Sequence, residues 1–405
     1  MNEAKTHIIV GGGAAGFFGA IACAQHHPCD RVIIVEKSAQ VLSKVRISGG
    51  GRCNVTHACF DPAALITYYP RGAKELRGPF SRFQPLDTIA WFESRGVTLK
   101  TEEDGRMFPT TDDSGTIINC LQQEAKRLKV EVLLQHALQE IKIKGSGFDL
   151  HFANEKIVFC DRLLLTTGSA PKIHAMLAQL GHKIVPPVPS LFTFNIPDSP
   201  LLDLAGIAVD AVKVALPACG CQQNGPILLT HWGLSGPSVL KASAWAAREL
   251  CDLNYKTELI VNWIPKYTPE ELKQSILKHK QATSLRQISA DPLFNLPKQL
   301  WKRLVTLAGF ESTQKWSNLS HLQLQNLAQN LQATTLQIAG KTTYKQEFVT
   351  CGGIALDEVN FKTMSSRQIP NLFFAGEILN IDGVTGGFNF QNAWTTSWIA
   401  GQAMN

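Results

Sequence analysis

The sequence predicts an α/β protein in which a Rossmann-like dinucleotide-binding domain is interrupted by a long insertion. Near the N-terminus, a glycine-rich turn at residues 11–16 separates two short apolar strands. Toward the other end, a buried strand pattern, a glycine pair at 386–387 and a helical pattern follow one another. Between these segments the pattern changes after three prolines at positions 186, 187 and 189. We therefore expect the two ends of the chain to form one domain around the insertion.

The length and composition are typical of a globular protein with two or three domains. The chain has 405 residues, of which 44% are hydrophobic and 18% are charged. This balance argues against intrinsic disorder. No apolar run approaches the roughly 18 residues that a membrane-spanning helix needs. The first residues include Glu3 and do not resemble a secretory leader. We expect a cytoplasmic protein without a membrane partner.

The charge and the cysteine spacing favour neither a nucleic-acid-binding protein nor a metalloprotein. The formal net charge is +6, and the Lys and Arg residues are scattered rather than gathered in a run. A nucleic-acid partner is not expected on this ground, although it is not excluded. The ten cysteines contain no Cys-x-x-Cys pair, and the histidines form no ligand motif. No metal site is predicted.

The first 36 residues carry the signature of a dinucleotide-binding βαβ unit. An apolar strand leads into a Gly-x-Gly-x-x-Gly turn, a helical pattern that runs to His26, and a second strand that ends at Glu36. Gly11 permits the tight turn, Gly13 lets a pyrophosphate approach the backbone, and Gly16 allows the helix to pack on the strand. Glu36 stands where an acid binds the adenosine ribose hydroxyls, which disfavours a 2′-phosphate. We predict FAD or NAD rather than NADP.

A second glycine-rich stretch at residues 48–56 favours a ligand-binding loop over a merely flexible one. Three consecutive glycines let backbone N–H groups come close to a ligand. Arg52 beside them adds a fixed positive charge with planar donors. Cys53 and Cys59 are separated by five residues, whereas the redox-active pair of flavin disulfide reductases is separated by four. We expect a free cysteine beside the cofactor rather than a disulfide relay.

Between residues 60 and 190 the pattern alternates helices and strands, as a doubly wound sheet requires. Residues 162–168 are typical of a buried strand, which would place Thr167 and Gly168 at the carboxyl edge of the sheet, where ligands bind. We expect Ser114 to cap a helix. The other expected elements are helices at 86–94 and 114–128, an ordered loop at 105–109, a strand at 130–134 and a β-meander over 136–152.

The insertion has strand patterns first and helical patterns afterwards. We expect strands at 192–196, 209–216, 226–230 and 258–263, helices opening at 269 and spanning 298–308 and 320–331, and a strand pair of 334–338 with 347–350. Within it, residues 231–237 combine the imidazole of His231, an indole and a hydroxyl around two glycines. A Ser-His hydrolase is disfavoured because the G-x-S-x-G elbow is missing. This leaves a catalytic His231 or a loop that faces a substrate cleft.

Several stretches together resemble the BaiN-like (YhiN-type) family of bacterial NAD(P)/FAD-dependent oxidoreductases. The matching stretches are residues 9–16, 48–56, 105–109, 230–237, 349–354, 374–377 and 386–391. They spread over nearly the whole chain, and the 48–56 string is distinctive. One departure is Thr-Thr-Gly-Ser at 166–169, where the family commonly has Ala-Thr-Gly-Gly. This departure concerns a local backbone contact rather than the fold.

The resemblance implies a glutathione-reductase-type FAD-binding domain interrupted by a β-rich domain and a helical domain. We expect residues 1–190 with 346–405 to form the FAD domain, 191–267 with 333–345 the β-rich domain, and 268–332 the helical subdomain. The resemblance also implies that residues 376–377 meet the ribityl and pyrophosphate part of FAD and that 386–389 sit near the isoalloxazine. The predicted cofactor contacts are Gly11, Gly13, Ala14, Ala15, Gly16, Glu36, Lys37, Lys44, Ser48, Gly49, Gly50, Gly51, Arg52, Cys53, Asn54, Thr167, Gly168, Gly376, Glu377, Gly386, Gly387, Phe388 and Asn389.

These observations predict an FAD-dependent oxidoreductase that transfers hydride between the flavin and a small organic substrate held in a cleft between domains. No second βαβ fingerprint appears, so NAD(P)H is expected only as a transient co-substrate, unless oxygen or another acceptor reoxidises the flavin. The reactions that the resemblance implies include reduction of a conjugated enone in bile acids and oxidation of an amine such as aminoacetone. The alternatives are an oxygen-dependent amine oxidase, a flavin redox sensor and an RNA-modifying flavoprotein. The sequence assigns no catalytic side chain and no oligomeric state.

Overall fold

A computed structural model describes residues 4–311, 313–342 and 349–405. The chain divides into two compact units. The first runs to Val188 and resumes at Lys345, and the second is Pro189–Tyr344. None of the helices in the described ranges is both long and apolar enough to span a membrane.

The part of the chain before residue 191 alternates strands and helices. The strands are β1 (Thr6–Val10), β2 (Arg31–Val35), β3 (Thr56–His57), β4 (Leu99–Thr101), β5 (Arg106–Pro109), β6 (Glu131–Leu133), β7 (Leu138–Lys144), β8 (Gly147–Phe152), β9 (Ile157–Cys160), β10 (Arg162–Leu165) and β11 (Ile184–Ser190). The helices are α1 (Ala14–His26), α2 (Ser43–Ile47), α3 (Pro62–Leu65), α4 (Ala73–Phe80), α5 (Pro85–Glu93), α6 (Ser114–Arg127) and α7 (Pro171–Gln179).

Two local expectations in this part are wrong. The stretch predicted as an ordered loop at 105–109 contains β5, which pairs with both β3 and β4 and buries Met107 and Phe108. Ser114 does not cap α6. The carboxylate of Asp113 accepts the Gly115 N–H at 2.8 Å instead, because it lies at the N-cap position that favours such acceptors.

The second unit combines an antiparallel sheet with helices. Its strands are β12 (Thr193–Asn195), β13 (Ala208–Leu216), β14 (Cys221–Thr230), β15 (Gly233–Ser235), β16 (Thr257–Asn262), β17 (Thr334–Ile338) and β18 (Gly340–Thr342), in the order β17-β16-β13-β14-β15-β12-β18. Its helices are α8 (Pro237–Trp245), α9 (Ala247–Asp252), α10 (Pro269–Ala282), α11 (Lys298–Leu307) and α12 (His321–Gln332). Strand and helix side chains share one hydrophobic core, in which Val261, Trp301 and Leu327 are all buried.

The first unit resumes with β19 (Val349–Ile354), β20 (Val359–Asn360), β21 (Ser365–Ser366), β22 (Leu372–Phe374) and α13 (Phe388–Ala403). The predicted pairing of 334–338 with 347–350 is wrong, and part of the latter stretch lies outside the described residues. β17 pairs antiparallel with β16, while β19 pairs with β11. The alternating burial of β17, with Leu336 inward, fits it to the sheet of the second unit.

One sheet joins the two ends of the chain in the first unit. Its strand order is β20-β21-β22-β10-β1-β2-β6, and the five strands from β22 to β6 are parallel. β22 lies directly beside β10, with Phe373 opposite Leu164. The last segment of the chain therefore lies in the same sheet as the N-terminal strands.

Helices α1 and α13 pack closely on each other above this sheet. A Cβ on Gly401 would lie 2.4 Å from the carbonyl oxygen of Gly19, so only glycine fits at Gly401 without a backbone shift. α13 also carries buried polar groups that fix it to distant segments. Gln391 accepts from the Thr56 hydroxyl at 2.6 Å, and the Trp394 indole donates to the Val55 carbonyl at 2.9 Å.

Candidate functional site

A cavity of about 780 Å³ lies in the first unit at the carboxyl end of the parallel strands. Its walls include Gly11 after β1, Glu36 after β2, Thr167 after β10 and Gly376 after β22. The carboxyl edge is where open α/β sheets bind ligands, and the volume lies within the range of small-molecule and cofactor sites. Four adjacent strands thus open into one cavity.

The three glycines of the first turn differ in what surrounds them. Gly11 has a left-handed φ of +115°, and a Cβ there would lie 2.6 Å from the Thr166 carbonyl oxygen. A Cβ on Gly16 would lie only 1.8 Å from the Gly11 carbonyl oxygen. A Cβ on Gly13, by contrast, would have no other atom within 4 Å. The fold itself demands Gly11 and Gly16, whereas Gly13 keeps open space at the cavity wall.

The start of α1 fits an anionic group. Its N-cap residue, Gly13, supplies no side chain to cap the first-turn N–H groups. Unpaired N–H groups and the helix dipole favour a negative charge at this position. Nearby, the Thr167 hydroxyl is buried and has no hydrogen-bond partner among the described residues. Both features suit a dinucleotide whose pyrophosphate meets the turn.

Glu36 lies in the wall with its carboxylate already oriented. One oxygen accepts the Gly12 N–H at 2.7 Å, and the other accepts the Ser38 N–H at 2.9 Å and the Ser38 hydroxyl at 2.7 Å. A carboxylate offers about four acceptor positions, so it retains capacity for a ribose hydroxyl. Its internal bonds hold the side chain toward the turn that follows β1.

Two segments from distant parts of the chain meet at the cavity through Lys44 and Glu377. The Lys44 Nζ lies 2.7 Å from the Glu377 Oε2. The Glu377 charge raises the pKa of Lys44 above its ordinary value, so the Lys44 ammonium stays protonated over the neutral range. Gly376 next to it has a left-handed φ of +74°, and its N–H donates to the Thr396 hydroxyl at 3.0 Å. A Cβ on Gly376 would lie 3.0 Å from that of Ala15 at the start of α1.

The 48–56 stretch contributes to the cavity only through its first two residues, Ser48 and Gly49. Gly49, Gly50 and Gly51 all have left-handed φ, which explains the run of glycines. The Arg52 guanidinium is engaged elsewhere. It lies 2.6 Å from the Glu102 carboxylate and stacks 3.9 Å over the Phe108 ring.

Neither cysteine of this region is placed for thiolate chemistry. Cys53 and Cys59 are both free thiols. Burial raises the pKa of Cys53 to about 12, and burial also raises the pKa of Cys59. Because the thiolate is the reactive form, these environments disfavour a disulfide relay.

The loop before α13 is held by aromatic and amide contacts. The Phe388 ring stacks on Tyr68 and on His57, with centroid distances of 4.3 and 4.7 Å, and the Tyr68 and His57 rings lie 5.7 Å apart, so the three rings form one cluster. The Asn54 amide, oriented to satisfy its neighbours, accepts the Gly387 N–H at 3.0 Å. Asn389 alone of residues 386–389 reaches the cavity wall, and its side chain bonds the Gly383 N–H and carbonyl. The loop is therefore rigidly tied to the 48–57 segment.

The structure brings most of the predicted cofactor contacts to one cavity. Those in its walls are Gly11, Gly13, Ala14, Ala15, Glu36, Lys37, Lys44, Ser48, Gly49, Thr167, Gly168, Gly376, Glu377 and Asn389. Those outside the walls are Gly16, Gly50, Gly51, Arg52, Cys53, Asn54, Gly386, Gly387 and Phe388. Sequence reasoning missed two further walls, residues 136–139 after β6 and 169–173 at the start of α7. The parallel-sheet rule could have found the first, because β6 ends at the same edge as β2.

His231 belongs to the second unit and lies in the turn between β14 and β15. Its ring is exposed and meets the neighbouring Trp232 edge-on at 4.4 Å. The Trp232 indole donates to the Thr193 hydroxyl at 3.3 Å, which ties the turn to β12. The glycine after it is required by close packing, since a Cβ on Gly233 would lie 2.2 Å from the Phe194 carbonyl oxygen. These contacts account for the residues at 231–233 as parts of a tight hairpin between β14 and β15.

Known proteins resemble this chain over nearly its whole length. The family model described as the HI0933-like protein Rossmann domain matches residues 5–403. A ribosomal RNA dihydrouridine synthase of Escherichia coli K12 is 28% identical, covering 98% of this chain and 96% of that protein. A 3-dehydro-bile acid delta(4,6)-reductase of Clostridium scindens is 26% identical, covering 98% of both chains.

Solved structures show the same architecture. The 3-ketosteroid-delta4-(5alpha)-dehydrogenase of Rhodococcus jostii RHA1 aligns with a TM-score of 0.54 at 14% identity, covering 100% of this chain and 97% of that one. At this identity the likeness concerns the fold alone, an α/β Rossmann domain with additional antiparallel sheets. Since the family model spans almost every residue, the resemblance seen in the sequence is confirmed, and the chain belongs to the HI0933-like family of flavin-dependent oxidoreductases.

Proposed function

We propose that this protein binds FAD in the cavity of its first unit and reduces uridine in ribosomal RNA to dihydrouridine. The observation that carries the proposal is the match to a ribosomal RNA dihydrouridine synthase across 98% of this chain and 96% of that protein. Two features of the cavity support a bound dinucleotide. The turn at Gly13 leaves open space, and the buried Thr167 hydroxyl has no hydrogen-bond partner among the described residues.

The proposed reaction saturates a double bond that is conjugated to a carbonyl. In uracil the C5–C6 π bond is conjugated to the C4 carbonyl, so C6 accepts a hydride and C5 accepts a proton as the π bond breaks. FAD, when bound and reduced, supplies the hydride, and NAD(P)H is the proposed source of its two electrons. The names of both relatives describe reductions or their products, which supports a reductase over the amine-oxidase and redox-sensor alternatives.

In this proposal the residues of the chain bind and orient the cofactor. The N–H groups at the start of α1 hold the pyrophosphate, and Glu36 accepts from the adenosine ribose. Gly376 and Glu377 face the ribityl portion, with Lys44 balancing the carboxylate charge. Asn389, which reaches the cavity wall and is held by two hydrogen bonds to Gly383, would face the isoalloxazine.

An RNA substrate revises the expectation drawn from charge. That expectation rested on the scatter of Lys and Arg residues along the whole sequence. RNA recognition depends on local clustering of positive charge in the folded protein rather than on a contiguous run. A net charge of +6 is compatible with such a cluster.

A second candidate is the reduction of a conjugated enone in a small molecule. It is favoured by the 26% identical relative named as a 3-dehydro-bile acid delta(4,6)-reductase. The same bond type is reduced in both cases, so the cavity chemistry is shared and only the substrate differs.

The test starts from the purified protein and its absorption spectrum. Deproteinised ribosomal RNA that lacks dihydrouridine is incubated anaerobically with the protein and NADPH or NADH, digested to nucleosides and analysed by mass spectrometry. We expect a uridine species heavier by two hydrogen atoms. A protein that cannot be loaded with FAD contradicts the cofactor assignment. Unmodified RNA together with reduction of 4-androstene-3,17-dione would support the second candidate, and hydrogen peroxide formed from aminoacetone would support an oxidase.

A further inference from the structure

Residues 266–315, in the helical part of the second unit, carry most of the net positive charge of the chain. The segment contains nine Lys or Arg residues against four Asp or Glu residues. Its excess of five positive charges compares with +6 for the whole chain. The remaining 355 residues are therefore close to neutral. The charge is concentrated, even though no run of basic residues is visible in the sequence.

The acidic residues of this segment are largely engaged internally. The Glu271 carboxylate accepts the Thr268 N–H at 2.8 Å in the capping box of α10. The Asp291 carboxylate lies 2.6 Å from the His279 ring nitrogen and 3.3 Å from the Arg286 guanidinium. Exposed lysines of the segment have no carboxylate at ion-pair distance within the described ranges, namely Lys266, Lys273, Lys278, Lys298, Lys302 and Lys315. Their charge faces solvent uncompensated.

Three of the basic residues lie on backbone segments that are linked to one another: Lys278 near the end of α10, and Arg286 and Lys315 on two paired segments. The backbone around Arg286 runs antiparallel to that around Lys315, with the Trp316 N–H donating to the Arg286 carbonyl at 3.1 Å. Lys278 precedes His279, whose ring lies 5.0 Å from the Trp316 ring. Trp316 is fully buried. The end of α10 and the two paired segments therefore form a rigid support for exposed side chains.

An exposed leucine lies among these charges. Leu285 is 78% exposed, directly between the paired backbone of Ser284 and Arg286. We call Lys278, Leu285, Arg286 and Lys315 the basic patch.

We propose that the basic patch binds the phosphate backbone of RNA and so holds the substrate on the second unit. This inference rests on the proposed function, which makes RNA the polyanion that the protein encounters. Lysine ammonium groups neutralise phosphates without reading sequence, and Leu285 offers an apolar surface to an unstacked base or ribose. The patch would contribute affinity, while the cofactor cavity performs the reaction.

The test compares two charge-reversal variants with equal changes in net charge. Lys278→Glu/Lys315→Glu alters the patch, and Lys126→Glu/Lys156→Glu alters two exposed lysines of the first unit. Binding of a fluorescein-labelled, mixed-sequence single-stranded RNA to the full-length protein is measured by anisotropy over a range of KCl concentrations. The flavin spectrum and the melting temperature show whether each variant is folded.

We expect the patch variant to bind this RNA about tenfold or more weakly, with the slope of log K against log salt reduced by roughly 1.4, since each lost single-strand contact contributes about 0.7. The first-unit variant should bind within about twofold of the wild type. Equal weakening of both variants, no weakening of either, or no RNA binding by the wild type would overturn the patch. Preferential binding of the wild type to anionic phosphatidylglycerol vesicles, abolished by the same patch variant, would also overturn it.

The experiments distinguish a failure of the basic-patch proposal from a failure of the proposed function. If the wild type produces dihydrouridine and the patch variant has the same kcat/KM as the wild type, the RNA-binding role of the basic patch is contradicted and the proposed function is supported. If the wild type binds RNA through the basic patch but does not reduce uridine, the proposed function is contradicted and the RNA-binding role of the patch is supported.

Discussion

The Lys44 ammonium and the Glu377 carboxylate lie 2.7 Å apart, although 333 positions separate them in the chain. The pair joins the segment after β2 to the segment after β22 at the wall of one cavity. In the proposed FAD complex the Glu377 carboxylate would repel a nearby pyrophosphate, and the Lys44 ammonium would offset that repulsion.

Replacing Lys44 by Met in the FAD-loaded protein should weaken FAD binding by about tenfold, or about 1.4 kcal/mol, because it leaves an unpaired carboxylate facing the cofactor. Adding Glu377→Gln should restore part of this loss, with a coupling free energy on the order of 0.5–3 kcal/mol in a double-mutant cycle. FAD affinity is measured by quenching of flavin fluorescence. Strictly additive losses would show that the two residues act independently.

Two glycines of the first turn should respond to the same substitution in opposite ways. Gly13→Val adds a side chain where nothing lies within 4 Å of the Cβ, so the protein should purify without FAD but fold with a melting temperature close to that of the FAD-free wild type. Gly16→Val places a Cβ at 1.8 Å from the Gly11 carbonyl oxygen, so this variant should be strongly destabilised. Thermal unfolding and flavin content distinguish the two effects. A yellow Gly13→Val protein would place the nucleotide elsewhere.

Glu36→Ala should reduce the free energy of FAD binding by about 1.5–3 kcal/mol, through loss of hydrogen bonds between a charged group and the ribose. Glu36→Gln retains an acceptor for the Gly12 N–H and should lose less. Titration with ADP, which carries the same ribose, should show the same ranking without any contribution from the flavin. Unchanged affinity in Glu36→Ala would refute the ribose contact.

Glu124 should make stability depend on acid pH. Its carboxylate accepts hydrogen bonds from Arg127 at 2.8 Å and from Arg95 at 2.9 Å. Both contacts lower the pKa of Glu124, and the hydrogen bond from Arg127 has the larger effect. A lowered pKa in the folded state means that the stabilisation is present above the unfolded value of 4.5 and is lost as the pH falls through the folded value.

Glu124→Gln should therefore lower the free energy of unfolding by about 1–3 kcal/mol near neutral pH, with a difference that shrinks below pH 4.5. Urea unfolding at several pH values measures this. The exposed Glu93→Gln serves as the control and should show no such convergence. If the difference in unfolding free energy between Glu124→Gln and the wild type stayed constant with pH, the variant would have lost packing contacts rather than a charge interaction.

Local sequence patterns predicted the parts of the fold in which a short segment specifies its own geometry. The βαβ unit was predictable because Gly11, Gly16 and Glu36 lie within one supersecondary motif whose backbone requirements are specific. The capping boxes at Thr268 and Ser320 likewise place the starts of α10 and α12 as expected. β5 was missed because four residues with a terminal proline resemble a loop until the neighbouring strands are known.

Contacts between distant segments could not be predicted from such patterns. Nothing near Lys44 in the sequence indicates Glu377 as its partner, and nothing near Arg52 shows that its guanidinium stacks on Phe108. The local excess of positive charge at 266–315 forms no run of basic residues in the sequence, and only the fold pairs the backbone around Gln287 with that around Lys315. The predicted cofactor contacts themselves stay predictions until the experiments above are performed.

The position of β22 beside β10 also sets an order of events on the ribosome. When residues 162–165 emerge, β10 can pair with β1, but its other edge stays open until residues 372–374 have been synthesised, after the entire second unit. An unpaired edge of buried, apolar residues invites association with other chains. A nascent chain at that stage also lacks the cavity wall at Gly376 and Glu377. The open edge of β10 therefore persists for about 200 residues of translation, and we expect chaperone binding to protect the nascent chain during that period.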